Sequence, residues 1–518
     1  MIKSFTPVAL VALIAAILGC VAAVHYHHLG LTLSHYDARG HLIVARRIID
    51  SVTPGWQQIG AVWLPLPHLL NALPVQIDAF YRTGASAVAI SIASFVVAAA
   101  AIAWIVLLLT ESKPAALAAA AVFAFNPNLV YLQSTPMTEP LLLGLTILGV
   151  ALLIVWATRH DAANPGLPGI VLALACLTRY EAWPVTYAAL AAAGWTRWRQ
   201  GDTLPTVARG VTRVAIYPTV AILAFAAFSR VVVGQWFVSS DFFVPENKAR
   251  GLPMVAINEI LWGARELSGH IVIVLGVAGC VALLVAGLFV RRRASALIAL
   301  SLGATAAVPW VAFVDGHPFR IRYMVPLVAI EAVAAGAIVH FLAVFVGRAF
   351  LARRPGDPER VAPRTFQVLL AVLVIGIAVY ELHPLDDHAP MVLEAQWDRV
   401  NVEPRRAVTS CLKARYKGES IMASMGSLGH YMQETSRDGF NLRDFLHEGN
   451  GDIWLAALNT SPRAYAGWVM IEEKAEGGDM LARRVREHPD FLAGYSRICD
   501  GAGLALYERQ NRTLNVNK

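Results

Sequence analysis

The sequence predicts an α-helical polytopic membrane protein, with about eleven membrane segments and a small C-terminal α/β domain outside the membrane. Three observations carry this. Of 518 residues, 57% are hydrophobic and only 15% charged, too few charges for a soluble protein of this length. Long apolar runs recur from the N-terminus to about residue 380, most of them near the length of a bilayer core. From about residue 382 charge and glycine rise and those runs stop. The chain therefore divides into a membrane region, residues 1–381, with residues 34–84 as a first outer loop of interfacial helices, and a soluble extracytoplasmic domain, residues 382–518.

The elements follow in order. MIKSFTPVALVALIAAILGCVAAV has the lysine, apolar core and small residues of a signal peptide. Residues 7–24 are about long enough to cross, and further spans follow, so this stretch reads as an uncleaved first span. Apolar segments then occupy residues 85–109, 115–132, 140–156, 169–176, 184–193, 214–233, 271–290, 294–314, 323–346 and 366–380. The two that flank TRYEAW are short. They read either as two short helices meeting at 178–183 or as one helix kinked near Pro184.

Orientation separates the two readings. The loops with Arg197, Arg199, Arg209 and Arg213, with Arg291 to Arg293, and with Arg348, Arg353, Arg354, Arg360 and Arg364 are the basic ones and should be cytoplasmic. Two helices satisfy that rule and one does not. The N-terminus is then cytoplasmic and the C-terminal domain extracytoplasmic, in an inner (plasma) membrane. The formal charge of +7 falls mostly in such loops, where it sets topology; no nucleic-acid-binding motif accompanies it. Polar segments 34–84, 126–139, 234–270 and 315–322 fall on one outer face, with the TRYEAW junction reaching towards it.

In the first loop, residues 36–50 can form an amphipathic helix with Leu42, Ile43, Ile48 and Ile49 towards lipid and Arg39, Arg46, Arg47 and Asp50 opposite. Trp56 and Trp63, with Pro54, Pro65 and Pro67, would anchor the next stretch at headgroup depth. In the C-terminal domain, residues 420–424 and 468–472 read as strands and 426–433 and 479–488 as helices. Residues 495–498 and 504–509 read as a closing strand pair around Asp500-Gly501. No phosphate loop or catalytic motif appears there, so accessory packing or acceptor recognition is the expected role. Cys20, Cys176 and Cys280 are small apolar-segment residues, while Cys411 and Cys499 are either free or a disulfide.

The candidate chemistry lies in the polar segments. Asp37, just after the first span, can take a proton from an acceptor hydroxyl, its pKa tuned by burial; the alternatives are helix capping or a pair with Arg39. Glu139 lies in NPNLVYLQSTPMTEPLLL, beside Ser134, Thr135 and Thr138. It either complements a helix dipole, supports the base, binds the acceptor, or joins Asp37 in ligating a divalent cation such as Mg or Mn. In GHPFRIRYMVPL, Arg320 and Arg322 beside His317 and Tyr323 suit a phosphate, although span-end arginines also snorkel to headgroups. Thr178, Arg179, Tyr180 and Glu181 form a charged cluster in an apolar region, where ionisable groups are costly; an internal Arg179–Glu181 pair is the alternative. His25, His27 and His28 read as interfacial packing rather than a metal site.

Together these stretches resemble the GT-C superfamily of polyprenyl-phosphate-sugar glycosyltransferases, which includes protein O-mannosyltransferases and lipid A aminoarabinose transferases. The resemblance spans residues 7–380. It implies inverting transfer of a sugar from a lipid-linked donor to an acceptor hydroxyl on a glycan, lipid or protein at the outer face. Asp37 is then the general base or acceptor-positioning acid, Glu139 the acid of the second outer loop, and Arg320 and Arg322 the donor-phosphate ligands. Many members carry adjacent acids in the first loop, whereas here Ala38 and Arg39 follow Asp37, so Arg39 is expected to share in phosphate neutralisation. The rival class is a transporter or flippase of a lipid-linked sugar, which should place its charges in broken helices at mid-membrane.

Overall fold

The computed structural model describes residues 2–59, 63–159, 164–232, 234, 236, 247–350, 364–475 and 478–510. The expected basic residues Arg353, Arg354 and Arg360, and most of segment 235–246, lie outside them. Two compact units emerge: Met1–Gly30, Val62–Leu66 and Val88–Glu394 form one, and Leu31–Ala61, Pro67–Ala87 and Ala395–Lys518 the other.

Apolar composition drives the first unit. Among the described residues, eight helices are long and apolar enough to cross a membrane: Thr6–His28, Ala85–Thr110, Glu139–Thr158, Leu204–Val232, His270–Phe289, Ala296–Asp315, Ile321–Gly347 and Arg364–Leu382. The shorter Lys113–Ala124 and Gly166–Cys176 and the 19-residue Ala182–Gln200 complete the expected series. The TRYEAW junction is a break between two helices, and the second runs further than expected, to Gln200. In their 18-residue apolar windows Glu139–Thr158 and Ile321–Gly347 have 72% and 78% of residues buried, against 22% for Leu204–Val232 and Arg364–Leu382, so the first two lie in the interior. Close packing there is backbone on backbone. A methyl at Gly279 would collide with the backbone of Ala334, and one at Gly336 with Ala119 and the carbonyl of Ala115, the small-residue packing by which membrane helices associate.

The second unit joins the first loop, residues 31–61 and 67–87, to the C-terminal domain. The sequence drew residues 34–84 with the membrane region and placed the boundary at 381/382; the compact unit instead takes in residues 31–61 and 67–87. The reason is a shared core. Leu42, Ile43, Ala45, Val75 and Tyr81 pack with Val408, Leu412, Ile421, Leu428, Phe445 and Trp468. Leu42 and Ile43 are 0% and 1% exposed, so helix Tyr36–Arg46 does not turn them to lipid as expected. Its charged side is covered as well, with Arg39, Arg46, Arg47 and Asp50 all buried. The exposed apolar face belongs to the next stretch, through Leu69, Leu70, Leu73, Ile77 and Phe80.

Five strands form one sheet in the order β2-β1-β3-β5-β4: β1 Ile421–Ala423, β2 Phe445–Leu446, β3 Trp468–Glu472, β4 Tyr495–Gly501 and β5 Leu504–Arg509. β1 runs parallel to both β2 and β3, while β3, β5 and β4 are antiparallel. Asp500 and Gly501, expected as the hairpin turn, belong to β4; the turn is Ala502-Gly503, whose φ values of 51° and 83° suit a tight two-residue loop. Cys411, on helix Val402–Arg415, is disulfide-bonded to Cys499 on β4.

At the end of β3, burial pushes the Glu472 carboxyl up to about 7, aided by Asp479 and Asp398 and opposed by Arg405. An acid raised in the folded state binds more protons than in the unfolded chain, so its contribution falls as pH rises from the unfolded value to about 7. Glu472→Gln should therefore stabilise the second unit at pH 8, by about 1–3 kcal/mol, and have little effect at pH 4. Denaturant unfolding at the two pH values checks this; equal effects would rule out the titration.

Candidate active site

In the first unit the polar run before Glu139 is folded inward. Asn126, Asn128, Gln133, Ser134, Thr135 and Thr138 are all buried. The Asn126 and Asn128 amides donate to the Leu267 carbonyl at 2.8 and 3.0 Å, and Asn126 Oδ1 caps helix Pro127–Leu132 by accepting from Asn128 N at 3.0 Å. The turn thus supplies its own hydrogen bonds and sets Glu139 at the head of an interior helix.

Glu139 is fully buried, and its Oε1 lies 3.0 Å from Arg179 Nη1. This is an ion pair and not an aligned hydrogen bond. Arg179 donates from Nε and Nη2 to Glu181 Oε1 at 3.1 and 2.7 Å, and from Nη1 to Thr138 Oγ1 at 3.1 Å. Burial alone would lower the Arg179 pKa, but the Glu139 and Glu181 carboxylates outweigh it and hold it above its ordinary value, against opposition from nearby Arg322. One guanidinium flanked by two carboxylates leaves an excess negative charge, and the buried Arg322 is near enough to act electrostatically on Arg179. A cavity of ≈ 10 Å³ adjoins Glu139, walled by Phe95, Ala98, Phe123, Leu129 and Leu132, room for about one water.

The neighbouring residues are held by packing. Tyr180 meets Trp183 edge-on at 5.1 Å, and burial pushes its hydroxyl up to about 12, so it stays protonated. Arg320 immediately precedes the 3-10 segment Ile321–Leu327, which carries Arg322. The Arg322 guanidinium lies over the Tyr323 ring at 5.3 Å. His317 packs edge-on against Tyr323 at 5.4 Å. Burial lowers the His317 pKa, Arg322 and Arg320 add to that, and a contact with the Pro318 carbonyl opposes it, which favours a neutral imidazole.

Asp37 and Arg39 belong to the second unit. Asp37 is buried in the first turn of helix Tyr36–Arg46. Its backbone N–H donates to His35 Nδ1 at 3.0 Å, so the capping side chain is His35 and not Asp37. Arg39 is drawn into a network, donating to Asp398 Oδ2 at 2.9 Å, to Glu434, and to the Ser34 carbonyl at 3.3 Å. Burial lowers its pKa to about 10. Its guanidinium is thus held by two carboxylates.

The structure therefore gathers Glu139, Arg179, Glu181 and Arg322 in one unit, beside Tyr180, Tyr323 and His317, and seats Asp37 in the other. Among the described residues, the group of acids and histidines able to share a metal ion is Asp386, Asp387 and His388, with ligand atoms within 4.8 Å; it includes neither Asp37 nor Glu139. Sequence reading missed Asp398, Arg405, His430 and Glu434. It also missed Glu331, a buried acid bonded by Ser268, which stood out as a lone carboxylate in the apolar run VPLVAIEAVAA.

No family model matches the chain, and no curated relative matches it. Solved structures do. ArnT from Cupriavidus metallidurans bound to undecaprenyl phosphate aligns with TM-score 0.58 at 12% identity, over 96% of this chain and 97% of that one. The apo form of the same protein aligns with TM-score 0.57 at 12% identity, over 94% and 97%. The fold is GT-C. The alignment takes in both parts of the chain, the helical unit and the small sheet domain.

Removing one partner of a buried pair leaves the other charge uncompensated, at a cost of about 3–5 kcal/mol. Arg179→Met should destabilise the first unit by that order, and adding Glu139→Gln to it should recover part of the loss. Unfolding of the detergent-solubilised protein measures both; additive losses would show that the two side chains do not interact.

Proposed function

We propose that this chain is an integral membrane glycosyltransferase that moves a sugar from a polyprenyl-phosphate donor to an acceptor hydroxyl at the outer face, with inversion. The observation that carries the reading is the buried Glu139–Arg179–Glu181 cluster with Arg322 beside it, at the head of apolar helices in a GT-C fold. Charges there are costly and mark function, and one solved structure of similar fold is of a protein bound to undecaprenyl phosphate.

In this reading Arg320 and Arg322 hold the donor phosphate, since guanidinium forks match phosphate oxygens. Glu139 and Glu181 keep Arg179 charged and fixed. Asp37 takes the proton from the acceptor hydroxyl as its oxygen attacks the anomeric carbon. The bond from that carbon to the phosphate oxygen breaks, and the lipid phosphate leaves with its charge stabilised by arginines already in place. A divalent cation, if bound, would add further charge neutralisation. Glu139 is already paired with Arg179.

Asp37→Asn should abolish turnover and leave binding of undecaprenyl phosphate within about twofold, whereas Arg322→Gln should weaken that binding about tenfold or more. A panel of radiolabelled polyprenyl-phosphate sugars with a membrane extract as acceptor tests both. Full activity of the Asp37 variant would sink the base assignment. Labelled lipid crossing reconstituted vesicles without donor consumption would replace the transferase with a transporter.

A further inference from the structure

The mechanism above leaves unused a group of charged side chains in the second unit. Arg405, on helix Val402–Arg415, is buried and donates Nη1 and Nη2 to the two oxygens of Asp398 at 2.7 Å each. It also donates Nε and Nη2 to Glu434 at 3.1 and 2.9 Å. Arg39 comes onto the same two carboxylates, at 2.9 Å from Asp398 and in contact with Glu434. Two guanidiniums and two carboxylates thus form a closed, neutral quartet, the arrangement in which four charges can share a buried place. Asn401 donates to Asp398 at 3.2 Å. His430, on the same helix as Glu434, lies 3.8 Å from Asp398, and the Asp37 carboxylate acts on it electrostatically, though less than Arg39, Arg405 and Asp398 do.

Of the quartet, Arg39 alone comes from the first loop; the other three residues come from the C-terminal domain. Arg39 also shares a helix with Asp37. Two residues apart on a 3.6-residue turn, their side chains leave the axis about 200° apart, so fixing Arg39 to the domain sets the direction in which Asp37 leaves. The far end of the helix is tied to the same domain. Arg46 donates to Asp50 at 2.8 Å, and Asp50 in turn accepts from Arg443 Nε at 2.8 Å and from the Leu442 backbone at 3.3 Å. With both ends held and the face between them in the shared core, neither rotation nor sliding of the helix is free.

We propose that the C-terminal domain is the mount of Asp37, and that Arg405, acting through Asp398, Glu434 and Arg39, is a positioning residue for transfer. The proposal rests on Asp37 being the base. It gives the domain a task in the reaction without a substrate contact of its own.

The test uses the full-length protein in nanodiscs, the polyprenyl-phosphate sugar that wild type turns over, undecaprenyl phosphate as the binding probe, and hydrogen exchange over residues 36–46. Arg405→Gln should lower kcat about tenfold or more, leave undecaprenyl phosphate binding within about twofold, and speed exchange in 36–46. Arg405→Lys, which keeps the charge but loses the fork, should fall between. Arg415→Gln, on the same helix but paired at the surface with Glu508, should behave as wild type. Wild-type kcat in Arg405→Gln, with Asp37→Asn inactive, would overturn the mount while the base assignment stands. Full turnover by Asp37→Asn would remove the base and the mount with it. If Arg405→Gln unfolds the whole unit, seen as fast exchange throughout 395–510, Arg405→Lys decides: lost kcat with loosening confined to 36–46 supports the proposal, and unchanged kcat overturns it.

Discussion

A helix with aliphatic side chains on one face and arginines on the other can be buried on both faces only if every charge on it meets a partner. That constraint governs the second unit. Helix Tyr36–Arg46 puts Leu42 and Ile43 into a core with Trp468 and Phe445 and meets its charges with Asp398, Glu434 and Asp50. Desolvation of these groups is offset only by close, forked geometry. Glu434, on helix Met425–Thr435, and Asp398, in the turn before Arg399–Asn401, must therefore stand at fixed places.

The same rule works in the membrane unit with the signs reversed. There two carboxylates, Glu139 and Glu181, share one guanidinium, and a further buried arginine, Arg322, acts on that guanidinium from another segment. A site of this kind is polar enough to meet an anionic group yet lies among apolar helices, which raises the strength of each electrostatic contact. The inward-folded turn 126–138, with its amides on the Leu267 carbonyl, keeps that polarity from drawing apart the helices around it.

Apolar run length was legible in the sequence because lipid imposes one period and one length, and the break at TRYEAW followed from the charge of the flanking loops. Strand β3 and the pair β4–β5 were legible from alternation and a turn. The orientation of helix Tyr36–Arg46 was misread. Its pattern is truly amphipathic, but the partner that covers Leu42 and Ile43 is protein and lies hundreds of residues away, and no local pattern distinguishes a protein core from lipid. The partners of Arg39 were hidden for the same reason, since Asp398 and Glu434 carry no local motif. The two-residue strand β2 is too short to show alternation. Glu139 and Arg179 were singled out as charged groups in apolar surroundings, but only the fold shows that they meet each other.

The separation of those partners has a consequence for how the protein is made. Asp398 and Glu434 follow Arg39 by 359 and 395 residues, and Cys499, which ties down helix Val402–Arg415, comes later still. Synthesis runs from the N-terminus, so the first loop emerges long before anything exists to receive it. Its arginines stay hydrated and its core residues uncovered until nearly the whole chain has been inserted. Closure of this region is therefore a last step of biogenesis, and a chain cut short after its final span would have its membrane helices but no seat for the helix that carries Asp37.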